Sequence, residues 1–200
     1  VVGINLDYAP VLDVHTNKNN PVIGDRAVSS NPTKVSEVTS VIIRVLQEEG
    51  VAACGKHFPG HGDTSVDSHH ELPVVEQDES RLRDVELLPF RSAIEAEVCA
   101  LMTAHVRYAA LDSEHPATLS EAIIGGLLRD QLRFDGLLVS DDMEMGAIDK
   151  YLDVVDASVQ AVAAGCDMLL VCSQDTERQV KIIEQLIYAL EDGRLPEARV

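Results

Sequence analysis

The sequence predicts a parallel α/β fold, and three of its features say so. Five short β-rich runs alternate with amphipathic helical stretches along the 200 residues. The runs read as apolar on both faces, as strands covered on both sides must be. The residues most able to do chemistry gather directly after those runs, at the C-terminal ends of the strands of a parallel sheet.

The first run is INLDYAPVLDV, followed by a polar loop, HTNKNNPVIGDRAVSS. Asn31-Pro32 then supplies an N-cap and a proline at the first helical position. Val35, Val38, Val41, Ile42, Val45 and Leu46 form the apolar stripe of that helix, and Gly50 stops it. VAACGKHF is the second strand, with a long loop from Pro59 to Gln77. Asp78 caps a helix whose apolar face holds Leu82, Val85 and Leu88, bent at Pro89 before Ile94. VCALMTAHV is the third strand. Ser120-Glu121 opens a helix to Leu132 that Gly125-Gly126 weakens, and DGLLVSDD is the fourth strand. A helix over 154–164 leads to the fifth strand, CDMLLVC, and a final helix over 177–191 ends at Gly193.

Strand starts advance by roughly 35–50 residues, so a closed barrel of eight such units would need more than about 300 residues. Five strands suit an open doubly wound sheet or part of a (β/α)8 barrel. Two observations favour the barrel. The chain begins inside a strand without a methionine, and LDV-HTN, GKH-FPGHGD, TAH and SDD all stand at C-terminal strand ends. The expectation is one partial barrel domain over residues 1–200, with its N-terminal part missing.

Sixteen Lys+Arg against 34 Asp+Glu give a formal charge of −18. That balance repels phosphate backbones and anionic lipid, which argues against nucleic-acid and membrane partners. No apolar run approaches the roughly 18 residues of a membrane span, and the start lacks the basic flank of a signal peptide. Cys54, Cys99, Cys166 and Cys172 form no C-x-x-C pair. Three of them lie in the apolar runs VAACG, GCDMLL and LLVCS, and the cysteines read as buried, reduced thiols. The matching compartment is the cytoplasm.

The densest polar cluster is GKHFPGHGDTSVDSHHELP, residues 55–73. His57 and His61 are spaced to share a helix face, but Pro59, Gly60 and Gly62 oppose a helix there, so a zinc site lacks its geometry. No metal or cofactor is expected. Lys56-His57 at a strand end, facing a Gly- and Pro-rich loop full of acid/base groups, suits a substrate clamp with a mobile proton donor. In Asp67-Ser68-His69 the carboxylate can accept from one ring nitrogen and leave the other to trade protons. His70 is equally available on spacing. Ser140-Asp141-Asp142-Met143-Glu144-Met145 places carboxylates at a strand terminus, where one can be a nucleophile, a metal ligand or a helix cap. Glycine-rich phosphate fingerprints and the G-x-S-x-G elbow are absent.

On these residues the sequence resembles glycoside hydrolase family 3, and within it the bacterial β-N-acetylglucosaminidases of the NagZ type. KHFPGHGDTSVDSHHELP is the most specific stretch. APVLDV with NPVIGDR, MTAHV, GLLVSDDMEM and AAGCDMLLVC fall in order and spacing around it. The resemblance implies a (β/α)8 barrel of which these are the last five strands, with a sugar-binding Asp upstream among the first three. It implies Asp141 as nucleophile, and His69 as acid/base with Asp67 as its partner. Lys56, His57 and Arg26 would contact the sugar, with Met145 lining the pocket and His105 beside it. The chain departs from the family pattern at His15, Lys18 and Ala27-Val28, all in one loop. The implied activity is retaining, exo-acting release of terminal GlcNAc from a muropeptide or other GlcNAc glycoside. The family suggests GlcNAc linked to 1,6-anhydro-MurNAc, in peptidoglycan recycling. A family phosphorylase or β-glucosidase, a non-catalytic sugar-binding barrel and a metal hydrolase are the competing readings.

Overall fold

The computed structural model describes residues 2–196. After β1 (Leu6–Asp7), helix α1 (Pro32–Glu48) starts where its cap chemistry requires. Asn31 Oδ1 accepts from the N–H groups of Thr33 and Lys34 at 2.9 and 3.3 Å, a cap of about 1 kcal/mol. Strand β2 (Ala52–Phe58) follows. The long loop expected over 59–77 contains a two-residue strand, β3 (Val74–Val75).

Asp78 caps the short α2 (Glu79–Arg81), its carboxylate accepting from Arg81 N–H at 2.8 Å. The chain then widens into a π-helical turn over Leu82–Glu86 before α3 (Leu88–Glu95), so the expected interruption falls just ahead of Pro89. Next come β4 (Ala100–Thr103), β5 (Arg107–Tyr108), β6 (Asp112–Pro116) and a 3₁₀ turn over Ala117–Leu119. A π-helical stretch over Ala122–Gln131 precedes β7 (Leu137–Asp142). The chain closes with α4 (Gly146–Asp149), α5 (Val154–Ala164), β8 (Met168–Leu170) and α6 (Thr176–Glu191).

Five strands form one parallel sheet in the order β1-β2-β4-β7-β8. The first run is shorter than expected. Only Leu6–Asp7 pairs as a strand, and a bridge from Val11 to Lys56 carries the contact further. The main core lies between this sheet and its helices, where Leu12, Ile43, Phe58, Phe90, Leu101 and Leu138 are fully buried. Phe58 meets Phe90 edge-on, ring centroids 5.3 Å apart. On the other sheet face a smaller cluster of Cys54, Ala100 and Met102 packs with Leu6, Tyr8, Leu137 and Leu170. Apolar packing on both faces is what the strand composition predicted.

A second, three-stranded sheet joins β3 parallel to β5 and β5 antiparallel to β6. Two of its strands are only two residues long and the third is mostly polar, so none announces itself in the sequence.

Two expectations fail. In α1 the inward face is Val35, Ser36, Thr39, Ser40 and Ile43, while Val38, Val41, Ile42 and Val45 are between 36% and 52% exposed. The apolar stripe exists but faces mostly outward. Of the four cysteines expected to be buried, Cys54 and Cys166 are buried, while Cys99 and Cys172 are exposed.

Candidate active site

The C-terminal ends of the parallel strands are irregular at the residues of interest. Opposite β4, β2 carries one extra residue between Lys56 and Phe58, at His57. Opposite β8, β7 is irregular between Val139 and Asp142. Bulges of this kind re-aim side chains at a sheet rim. Ser140 Oγ accepts from Leu170 N–H at 3.0 Å, so a hydroxyl substitutes for a ladder carbonyl beside Asp141.

Asp141 is half-buried at the end of β7. Its Oδ1 accepts from Asp142 N–H at 2.9 Å, and Oδ2 lies 4.0 Å from His57 Nε2. Burial pushes this carboxyl up, but the His57 ring foremost, with His105, the Asp142 N–H and Lys56, outweighs it. The carboxyl sits below its ordinary value and is ionised at neutral pH. His57 is held from the far side by Asp13, whose Oδ2 accepts from Nδ1 at 2.7 Å. Asp13 Oδ1 accepts from the backbone N–H groups of His57 (3.2 Å) and His61 (2.6 Å). Asp13 was not singled out from the sequence. Its signal was a lone carboxylate closing the apolar run APVLDV, where only a paired charge can be buried.

His69 and Asp67 form a pair on the loop after β2. Asp67 Oδ1 accepts from both Nδ1 and the backbone N–H of His69, at 2.7 and 2.8 Å. Burial raises the Asp67 carboxyl, but these bonds and the nearby His69 and His70 rings bring it below its ordinary value. Nδ1 is thereby the donor to Asp67, and Nε2 is left for a reacting group. The His69 side chain is 57% exposed, open for a ligand to cover. His70 is exposed and makes no side-chain hydrogen bond among the described residues.

The loop is tied to the exit of Asp141's own strand. Gly146 N–H donates to His69 O at 3.1 Å and Ala147 N–H to Ser68 O at 3.0 Å. A Cβ on Gly146 would lie 2.6 Å from His69 O, so glycine is required for this approach. Below the loop, His61 bridges Ser68 Oγ (2.8 Å, Nε2) and Thr64 Oγ1 (2.9 Å, Nδ1), and burial pulls its pKa down to about 4. Gly62 is needed as well, because a Cβ there would sit 1.8 Å from Val14 O. Further along, Tyr108 OH donates to Gly60 O at 2.8 Å, and β3 pairs with β5 just past the loop.

The remaining sequence-predicted residues divide. Lys56, half-buried on β2, acts on Asp141 by its charge. Met145 is buried as the N-cap residue of α4. His105 is buried close enough to Asp141 for its ring to act on that carboxyl. Its Nε2–H donates to Asp142 O at 2.9 Å and its Nδ1 accepts from Thr118 Oγ1 at 2.7 Å, with burial lowering its pKa. Both ring nitrogens are engaged in a buried side chain, so His105 supports the β7 exit from within. Arg26 stands exposed on a 3₁₀ turn over Gly24–Arg26, with no side-chain partner among the described residues. The structure does not join it to the cluster. Among the described residues, no group of three or more His, Cys, Asp or Glu is placed to hold a metal ion.

Comparison with known proteins agrees with this arrangement. Residues 1–200 match the Glycosyl hydrolase family 3 N terminal domain. A β-hexosaminidase of Idiomarina loihiensis is 40% identical over 95% of this chain and 56% of its own length. A family 3 β-N-acetylglucosaminidase structure from Paenibacillus superposes with a TM-score of 0.96 at 48% identity, over 98% of this chain and 38% of that one. A β-glucoside phosphorylase superposes with a TM-score of 0.92 at 27% identity, over 99% of this chain and 37% of that one. The chain spans between 35% and 56% of the length of the curated relatives it matches. With its parallel sheet, its strand-end carboxylate and a family match across its whole length, this chain belongs to glycosyl hydrolase family 3, as part of that family's N-terminal α/β barrel domain.

Proposed function

We propose that this domain carries the catalytic residues of a retaining, exo-acting β-N-acetylglucosaminidase. One observation carries the reading. The loop bearing the His69–Asp67 pair is hydrogen-bonded by its own carbonyls to the turn that follows Asp141, so proton carrier and carboxylate are held by one piece of backbone. In the first step Asp141 Oδ2 attacks the anomeric carbon and the glycosidic C–O bond breaks. His69 Nε2–H gives its proton to the departing oxygen. In the second step Nε2 takes a proton from water, the water oxygen bonds to the anomeric carbon, and the ester to Asp141 breaks. Asp67 orients the ring and stabilises its cationic form throughout.

The substrate proposed is a peptidoglycan fragment ending in GlcNAc, linked β-1,4 to 1,6-anhydro-MurNAc, processed in the cytoplasm during wall recycling. The names of the relatives support an N-acetylhexosamine in the reacting position. A slow fluorinated GlcNAc donor applied to the full-length protein should leave its sugar on Asp141, read by peptide mass mapping. A label on Asp142 or Glu144 would overturn the assignment.

One observation favours a second reading, in which phosphate takes the place of water. A histidine acting as base is neutral and repels an anionic acceptor less than a carboxylate base would, and a β-glucoside phosphorylase shares the fold closely. GlcNAc 1-phosphate appearing only when phosphate is supplied would select it.

A further inference from the structure

We infer that Asp13 is a positioning residue for the reaction: it sets which nitrogen of His57 carries the ring proton beside Asp141 and, through the same group, seats the loop that carries His69. The inference rests on the reading of Asp141 as nucleophile. Asp13 is fully buried and both its oxygens are used. Oδ2 takes the His57 ring at 2.7 Å, while Oδ1 takes the backbone N–H groups of His57 and His61 at 3.2 and 2.6 Å. A carboxylate only accepts, so the shared proton sits on Nδ1. The nitrogen left over is Nε2, 4.0 Å from Asp141 Oδ2. On the other branch, His61 passes the restraint to Ser68 Oγ at 2.8 Å, between Asp67 and His69. A hydrophobic side chain in place of Asp13 would leave two buried N–H groups unpaired and the His57 ring free to turn.

Asparagine separates the two tasks. Its carbonyl oxygen, in the place of Oδ1, keeps both backbone N–H bonds. Its NH2 then stands where Oδ2 was, and it can only donate. Nδ1 of His57 must now accept, so the ring proton moves to Nε2, the nitrogen facing Asp141. The flipped amide would set its NH2 against two N–H donors and is disfavoured. Asp13→Asn therefore leaves the loop seated and inverts His57.

The test uses the full-length protein and proton–nitrogen NMR of the imidazoles. Wild-type His57 should be protonated at Nδ1; in Asp13→Asn it should be protonated at Nε2 and bare at Nδ1. Turnover of a GlcNAc glycoside should fall about 100-fold in kcat with little change in KM. His57→Gln removes the ring through which Asp13 acts, so Asp13→Asn should cost little more on that background. A wild-type His57 bare at Nδ1 would overturn the inference, and that measurement needs no variant to fold. So would an equal fold-loss from Asp13→Asn with and without His57, the result expected of a merely structural carboxylate. Failure of the reading of Asp141 would look different. The fluorinated donor would then label another residue while His57 kept its proton on Nδ1.

Discussion

General acid help matters most when the leaving oxygen is basic. His69→Ala should therefore cripple cleavage of a natural disaccharide while damaging the first step on an activated aryl glycoside much less. The second step also loses its base, so the glycosyl-enzyme should accumulate and added azide should release it as a glycosyl azide. Asp67→Ala should give a milder version, because it removes only the partner that orients the ring. His70→Ala is the control; if it shows the leaving-group dependence and His69→Ala does not, the proton carrier is His70. His61 makes a separate prediction about stability. Its folded pKa is pulled down by burial to about 4 from the ordinary 6.5, so the unfolded chain takes up a proton first. The corresponding stability is present above pH 6.5 and is lost as pH falls toward 4, a contribution of about 3 kcal/mol. His105, also lowered by burial, acts with the same sign, while Glu86, raised by burial, opposes them. Urea unfolding at neutral pH and at about pH 4.5 should show a smaller loss in His61→Gln than in the wild type. An unchanged loss would mean that His61 is not the group responsible.

The elements that place these residues were legible to different degrees. The main strands could be read because buried parallel strands leave apolar runs, and the capped starts of α1 and of the helix after Asp78 could be read because Asn31-Pro32 and Asp78 carry their own chemistry. The three-stranded sheet of β3, β5 and β6 could not. Val74–Val75 and Arg107–Tyr108 are two-residue strands defined by partners far along the chain, and no local period encodes them. Spacing could offer Asp67 a local histidine partner but left His69 and His70 open, and the family resemblance chose His69. Asp13 with His57 was not readable from spacing, because it joins residues 44 apart. The seat of the loop on α4 is of the same kind, and Gly146 tests it. A Cβ there would lie 2.6 Å from His69 O and 3.0 Å from His70 O, on the backbone of the loop that carries His69. Gly146→Ala should lower kcat on substrates with basic leaving groups by at least about tenfold, by displacing the proton carrier. Gly126→Ala, with nothing within 4 Å of the new methyl, should leave activity unchanged and stability equal or higher by up to about 1 kcal/mol. Equal effects of the two substitutions would remove the case for the seat.

At the scale of the whole molecule, the sheet has two ends, β1 and β8, and most of the large apolar residues that remain exposed lie beside them or on α1 and α6. Val2 and Ile4 beside β1 are 89% and 67% exposed, and Met168 on β8 is 39% exposed. Helix α1 turns Val38, Val41, Ile42 and Val45 outward, and α6 does the same with Val180, Ile183, Ile187 and Tyr188. The periodicity of α1 was thus read correctly as an apolar face, but a period says nothing of which face the described fold covers. Strand ends with free N–H and C=O groups beside such stripes are templates for pairing with another chain. A charge of −18 opposes that association, though salt screens it within about 10 Å at moderate ionic strength. The 200-residue chain in isolation should therefore self-associate, and more strongly as salt is added, as read by sedimentation velocity. Val41→Lys with Val45→Glu on α1, and Ile183→Lys with Ile187→Glu on α6, should weaken the association. Each pair sits at i, i+4 on an exposed face, so little packing is lost and the unfolding midpoint should barely move. A chain that stays monomeric at high salt would show that these faces are not the sticky ones. A chain whose variants unfold instead of dissociating would show that α1 and α6 bury those residues in solution.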